Sequence, residues 1–198
     1  MRSHALKAYY SLDVFGKGGV KSVEETKSKS FVNAFIRALC AQFGGGTQSI
    51  DEIGGSPINY GLGDTGFEIN ISGGGGSHPY SISSLNSEMG IVVGTSDQAV
   101  VITDYALISK VDHGNETGQL EYFGSFVSDL VVAGSDASVY FERIFRNSSG
   151  GSIDINEIGV YGYTDNGTIC TIRDVLVSPV AVADDEYLKV KYTIKVSA

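Results

Sequence analysis

The chain has 198 residues, 42% of them hydrophobic and 19% charged, with 26 Gly, 11 Tyr, 9 Phe and a formal charge of −9. That length and apolar content suit one domain with a sizeable core and exclude a disordered acidic solvator. The acidic balance argues against a general nucleic-acid binder, because such binding rests on Lys and Arg displacing condensed counterions.

The charge is uneven. Residues 1–29 hold Arg2, Lys7, Lys17, Lys21, Lys27 and Lys29 against Asp13, Glu24 and Glu25, a net of +3, which leaves −12 for the rest. A basic N-terminal segment on an acidic body can pair with the acidic face of a neighbouring copy, or simply be solvated. Residues 4–15 mix aromatic and β-branched types and read as either an extended arm or a first strand. FGKGGVKS at 15–22 reads as a flexible break.

Phe31, Val32, Phe35, Ile36, Leu39, Cys40 and Phe43 then recur at three- and four-residue spacing, which predicts an amphipathic helix of about 14 residues. Ser28 or Ser30 can cap it, and Gly44, Gly45 and Gly46 stop it. A stripe of this size needs a partner surface, so Phe31, Val32, Phe35, Ile36, Leu39 and Phe43, with Lys7, Lys17 and Lys21, are the expected assembly interface.

Residues 44–88 read as a long Gly-rich insertion, with Gly54, Gly55, Pro57, four glycines at 73–76 and Pro79. Only FEINIS at 67–72 alternates like a strand there. Loops this long are functional, ordered at a contact or mobile, which makes the segment a candidate interaction surface. From residue 89 the pattern is strands and turns, with strand-like runs at 90–95, 99–104, 119–127, 129–134, 138–149, 152–163, 168–176 and 186–196. Val139, Phe141, Arg143 and Phe145 share one face, as do Leu188, Val190, Tyr192, Ile194 and Val196. Ser149-Gly150-Gly151 and Asp165-Asn166-Gly167 have hairpin-turn chemistry. The expected fold is mainly β: an antiparallel β-sandwich, jelly-roll or immunoglobulin-like, with an N-terminal arm and one amphipathic α-helix. The expected layout is arm and helix over 1–43, insertion over 44–88 and sandwich over 89–198.

Chemical motifs are weak. Lys21-Ser22 follows Val20 without the glycines of a phosphate-binding loop, and the third glycine of a dinucleotide fingerprint is replaced by Lys21. Cys40 and Cys170 lack the paired spacing of a zinc site and read as small core residues. His4, His78 and His113 are scattered in polar contexts. Asp51-Glu52 and Asp184-Asp185-Glu186 lack calcium-loop spacing, and the latter reads as a hairpin turn. Sequons start at Asn70, Asn115, Asn147 and Asn166, a pattern that arises by chance in a turn-rich chain. No run approaches the roughly 18 apolar residues of a membrane helix, and no apolar leader follows Met1. The reading is a soluble protein made in a cytoplasm, without a catalytic, cofactor or metal site.

GIVVGTSDQAVVITDYAL (90–107), GQLEYF (118–123), RIFRNSSGGSIDINEIGVYG (143–162) and IRDVLVSPVAVADDEYLKVKYTIKV (172–196) resemble a widespread type of tailed-bacteriophage virion structural protein. KSKSFVNAFIRAL (27–39) resembles the arm and helix that precede this module. The resemblance implies a virion location, self-assembly or assembly with other virion proteins, and neither enzyme activity nor a cofactor. The alternative is a β-sandwich binding module for a surface glycan or receptor, with its site in loops 44–88 and 112–118, around Tyr60 and Tyr80. A hydrolase on the same scaffold is a third reading, since fold alone does not confer chemistry.

Overall fold

Alternating apolar and polar side chains shape most of the chain. The computed structural model describes residues 5–28, 30–43, 45–61, 87–164 and 166–197. The protein is mainly β, with antiparallel sheets and, among the described residues, one short helix.

In β1 (Ala5–Gly16), Ala8, Tyr10, Leu12 and Val14 are buried while the residues between them are half-exposed. This strand pairs along its length with β11 (Tyr187–Ser197), whose Leu188, Val190 and Tyr192 are buried on the same face. β11 in turn pairs with β8 (Asp136–Arg146), which buries Phe141, Arg143 and Phe145. β2 (Gly19–Lys27) closes one edge of this six-stranded sheet, and β6 (Glu121–Val127) and β7 (Val131–Ala133) follow each other along the outer side of β8.

A second sheet runs β10-β9-β5, from β10 (Gly167–Val182), β9 (Ile153–Thr164) and β5 (Gly90–Gly94). Its Ile91, Ile155, Ile158 and Ile172 belong to the same hydrophobic cluster as Leu12, Phe145 and Tyr192 of the first sheet. One core therefore serves both sheets, and each fully buried side chain of this kind stabilises by about 1.5–3 kcal/mol. β3 (Gln48–Asp51) and β4 (Pro57–Tyr60) make a separate hairpin.

Of the two readings of residues 4–15, arm or first strand, the structure has the strand: the basic segment forms the pair β1–β2 of the large sheet rather than an arm, and the supposed flexible break is its turn. Gly16 and Gly19 pair across Lys17-Gly18, with Gly19 at φ +98°, a conformation that glycine adopts without a Cβ penalty. After β2 the chain crosses between the sheets. Ser28 N–H bonds to Ala8 O, and Arg173 N–H bonds to Ser30 O while Val32 N–H bonds to Thr171 O. Residues 30–32 thus occupy the edge of β10. For that reason 99–104, which has a strand-like sequence, forms a loop instead: the neighbouring ladder positions are taken, and Asn33 N–H bonds to Ile102 O.

The helix α1 (Asn33–Gln42) is shorter than its periodicity suggests, with Val32 rather than a serine at its N-cap. The two serines are engaged elsewhere, Ser28 through its hydroxyl and Ser30 through its carbonyl. The stop is as expected in kind, with Gly45 N–H bonding to Cys40 O and Gly46 at φ +77°. The strand expected at 67–72 lies outside the described residues.

Candidate functional site

The loop 95–111 is fixed by a buried charge cluster. Arg173 on β10 donates through Nε to Glu157 Oε2 on β9 (2.9 Å) and through Nη1 to Asp104 Oδ2 (2.7 Å), and its Nη2 reaches Gln98 O (2.8 Å). Glu157 also accepts from the Ser109 and Ile108 N–H groups, and Asp104 from the Val101 N–H. Each ion therefore holds backbone as well as its counter-ion, the condition under which a buried ion pair is tolerated. Arg143 on β8 is a second buried cation: it donates to Phe123 O, Met89 O and Ile91 O and lies 4.7 Å over the Tyr122 ring. Burial lowers its guanidinium to about 10.

A groove of about 420 Å³ lies where the crossing segment, β10 and the loop meet. Tyr10, Thr26, Ser30, Phe31 and Ile102 line it, with Asp174 among them and Val177 at the rim. Asp174 is 3% exposed and accepts from Ser28 Oγ at 2.7 Å and Tyr192 Oη at 3.1 Å, so its carboxylate ties both sheets and the crossing segment together. Burial, then the nearby Asp174 charge, raises the Tyr192 and Tyr10 phenols. Val177 stands out from β10 at 89% exposure, because four residues, 176–179, bulge between the pairs Val175–Glu157 and Val180–Ile155.

No protein-family model, curated protein or solved structure matches the chain.

The residues expected to form an assembly interface divide between inside and outside. Val32 and Phe35 are buried in the protomer with Ala34, Ala38 and Ala41, and Phe31 packs against the same core and stacks on Phe35. Ile36 and Phe43 face outward at 59% and 84% exposure, with Cys40 exposed and Leu39 half-buried beside them. The helix thus carries two apolar stripes. Alanines fill the inner one because α1 packs closely on β3 and β10. Cys40, read as a core residue, belongs to the outer stripe; Cys170 is buried, which raises its thiol pKa. Lys17 and Lys21 are exposed at the β1–β2 turn, and Lys7 is half-buried on β1.

Several expectations for other sites resolve locally. Tyr60 is wholly buried and accepts from Gln42 Nε2, so it supports the helix end rather than facing a ligand; Tyr80 lies outside the described residues. Asn147 is wholly buried, with its amide bonded to Gly151 O and Val182 O, which leaves its side chain inaccessible to glycosylation. Asp184, Asp185 and Glu186 form the β10–β11 turn, Asp185 at φ +65°. His113 accepts the Tyr122 N–H on Nδ1, and His4 and His78 fall outside the described residues. Among the described residues, no three His, Cys, Asp or Glu side chains gather as metal ligands, and no helix is long and apolar enough to cross a membrane.

Two surfaces escaped the sequence reading. Leu130, Val131 and Val132 are 69%, 50% and 67% exposed on and beside β7. Their apolar run signals a strand but not that both of its faces stay outside. Asp174 sits in the run IRDVL beside Arg173, and the adjacent opposite charges in that strand do not tell that both side chains are buried.

Proposed function

We propose that this chain is a non-enzymatic structural subunit of a tailed-phage virion, made in the host cytoplasm, that assembles with copies of itself or with other virion proteins. The supporting observation is the outward stripe of α1, where Ile36, Cys40 and Phe43 repeat at i, i+4 and i+7 on a helix already anchored by its other face. Covering Ile36 and Phe43 in a neighbour recovers about 1.5–3 kcal/mol each, whereas scattered exposed apolar residues carry no such meaning. The charged groups fit this reading: Arg173, Glu157, Asp104 and Asp174 all hold loops or sheets together.

The test is the Ile36→Ser/Phe43→Ser chain. Assembly through this stripe predicts a smaller particle by light scattering with unchanged circular dichroism. An unaltered mass would remove the helix from the interface.

One observation favours the second reading, a module for a surface glycan or receptor. The groove at Asp174 is lined by Thr26 and Ser30 together with Phe31 and is of ligand size, since small-molecule sites run about 300–1,000 Å³. Glycan-array binding that disappears in Phe31→Ala supports it, and an array without signal counts against it.

A further inference from the structure

We propose that a second copy of this chain docks its β1–β2 hairpin tip, residues 17–21, on the β7 edge around Leu130–Val132, so that copies join head to tail. The inference rests on the assembly reading and adds a second pair of surfaces to the α1 stripe.

The receiving edge is unusual in what it lacks. β7 pairs with β8 on one side, and an edge strand presents unpaired N–H and C=O groups to any chain that approaches. Natural edges are guarded by Lys, Pro or inward-pointing charges, yet residues 111–142 contain no Lys, Arg or Pro. At the centre of this edge stand the exposed Leu130, Val131 and Val132.

Its charge selects the partner. Residues 111–142 hold six acids: Asp112, Glu116, Glu121, Asp129, Asp136 and Glu142. Lys110, Arg146 and Lys195 pair with Asp112, Glu121 and Asp136 within the chain, and Asp129 lies next to the exposed apolar run. Pairing two such edges about a two-fold axis brings like charges together, which costs stability. A partner that is both apolar and basic fits.

The hairpin tip has that chemistry. Val20 is 69% exposed between exposed Lys17 and Lys21, and residues 14–23 contain no acid; the β10–β11 turn adjoins the tip, where Asp185 reaches Lys17 only at 3.9 Å with the lysine side chain 95% exposed. The register of β2 on β1 shifts between Tyr10 and Leu12. Such bulges blunt an edge, which restricts the contact to the tip. The tip belongs to β1 and β2 at one edge of the six-stranded sheet, and β7 lies at the other. The contact is therefore heterologous and propagates into a ring or a filament.

The test uses two full-length variants, Lys17→Glu/Lys21→Glu and Asp129→Lys/Val131→Lys, measured by sedimentation velocity alone and mixed. Each alone is expected to have a lower mass than the wild type, and the equimolar mixture a higher mass than either, because the reversed tip of one then meets the reversed edge of the other. Salt provides a check that requires no folded variant: the wild-type mass should fall as ionic strength rises. Variants that keep the wild-type mass, a mixture no larger than the variants alone, or a salt-independent mass would overturn the inference while leaving assembly through another surface intact. A wild-type chain that is itself monomeric would overturn the inference and the homo-oligomer it depends on.

Discussion

Glu157 on β9 and Arg173 on β10 meet at 2.9 Å with both side chains wholly buried. Their strands are neighbours in the three-stranded sheet, and Asp104 completes the cluster from the loop. The pair gives the loop 95–111 a fixed place over β9 although that loop has little regular structure of its own.

Removing one partner of a buried pair strands the other charge, so Arg173→Met is expected to cost about 3–5 kcal/mol. Urea unfolding reads the loss as a lower midpoint, and amide exchange of residues 95–111 should accelerate. A loss no larger than that of a surface substitution would mean the cluster is dispensable.

Gly159 is a packing requirement. A Cβ there would lie 2.4 Å from Leu107 Cδ1 and 2.9 Å from the Ile172 carbonyl oxygen. The side chain can move but the strand backbone cannot move cheaply, so Gly159→Ala should lose about 1–3 kcal/mol. Adding Leu107→Ala would relieve only the side-chain clash. Thermal unfolding of the single and double variants separates the two contributions.

Asn147 ties its own turn to the end of β10: its Nδ2 donates to Gly151 O and Val182 O, and its Oδ1 accepts from Ser149 N–H and Oγ. Asn147→Ala leaves the buried Val182 carbonyl without that donor, at a cost of about 1–3 kcal/mol. Chemical denaturation is the measurement. Asn147→Asp should be no milder, because a carboxylate cannot donate to either carbonyl.

Alkaline pH should unfold the protein through its buried phenols. Burial raises Tyr10, Tyr122, Tyr161 and Tyr192 above the ordinary value of 10.0. A group with a raised folded pKa contributes its stability below the unfolded pKa and loses it as pH climbs beyond. Ultraviolet titration should therefore show an early fraction of the 11 tyrosines ionising near their usual pH and a later fraction ionising only as the fold is lost. A single smooth transition of all of them in folded protein would contradict this burial.

Much of the β architecture is legible in the sequence because its signal is local. Leu188, Val190 and Tyr192 alternate with lysines and threonine, and that alternation alone tells which face is buried. The Asp184–Glu186 turn and the glycine stop after α1 are read in the same way. What escapes depends on a distant partner. Residues 99–104 have strand composition, but residues 30–32 already occupy the β10 edge beside them. The periodicity around α1 does not reveal which of two apolar stripes faces the core. The space beneath the helix settles it by accepting Ala34, Ala38 and Ala41 and leaving Ile36 and Phe43 outside. Asp174 is called into the groove by Ser28 and Tyr192, 146 and 18 residues away, separations across which no pattern reaches.

If neighbouring molecules complete this surface, as proposed, the mass of the full-length chain in solution reveals it. Light scattering across a concentration series should give a multiple of 20.9 kDa. A mass that stays at the single-chain value at the highest concentration reached would contradict self-assembly.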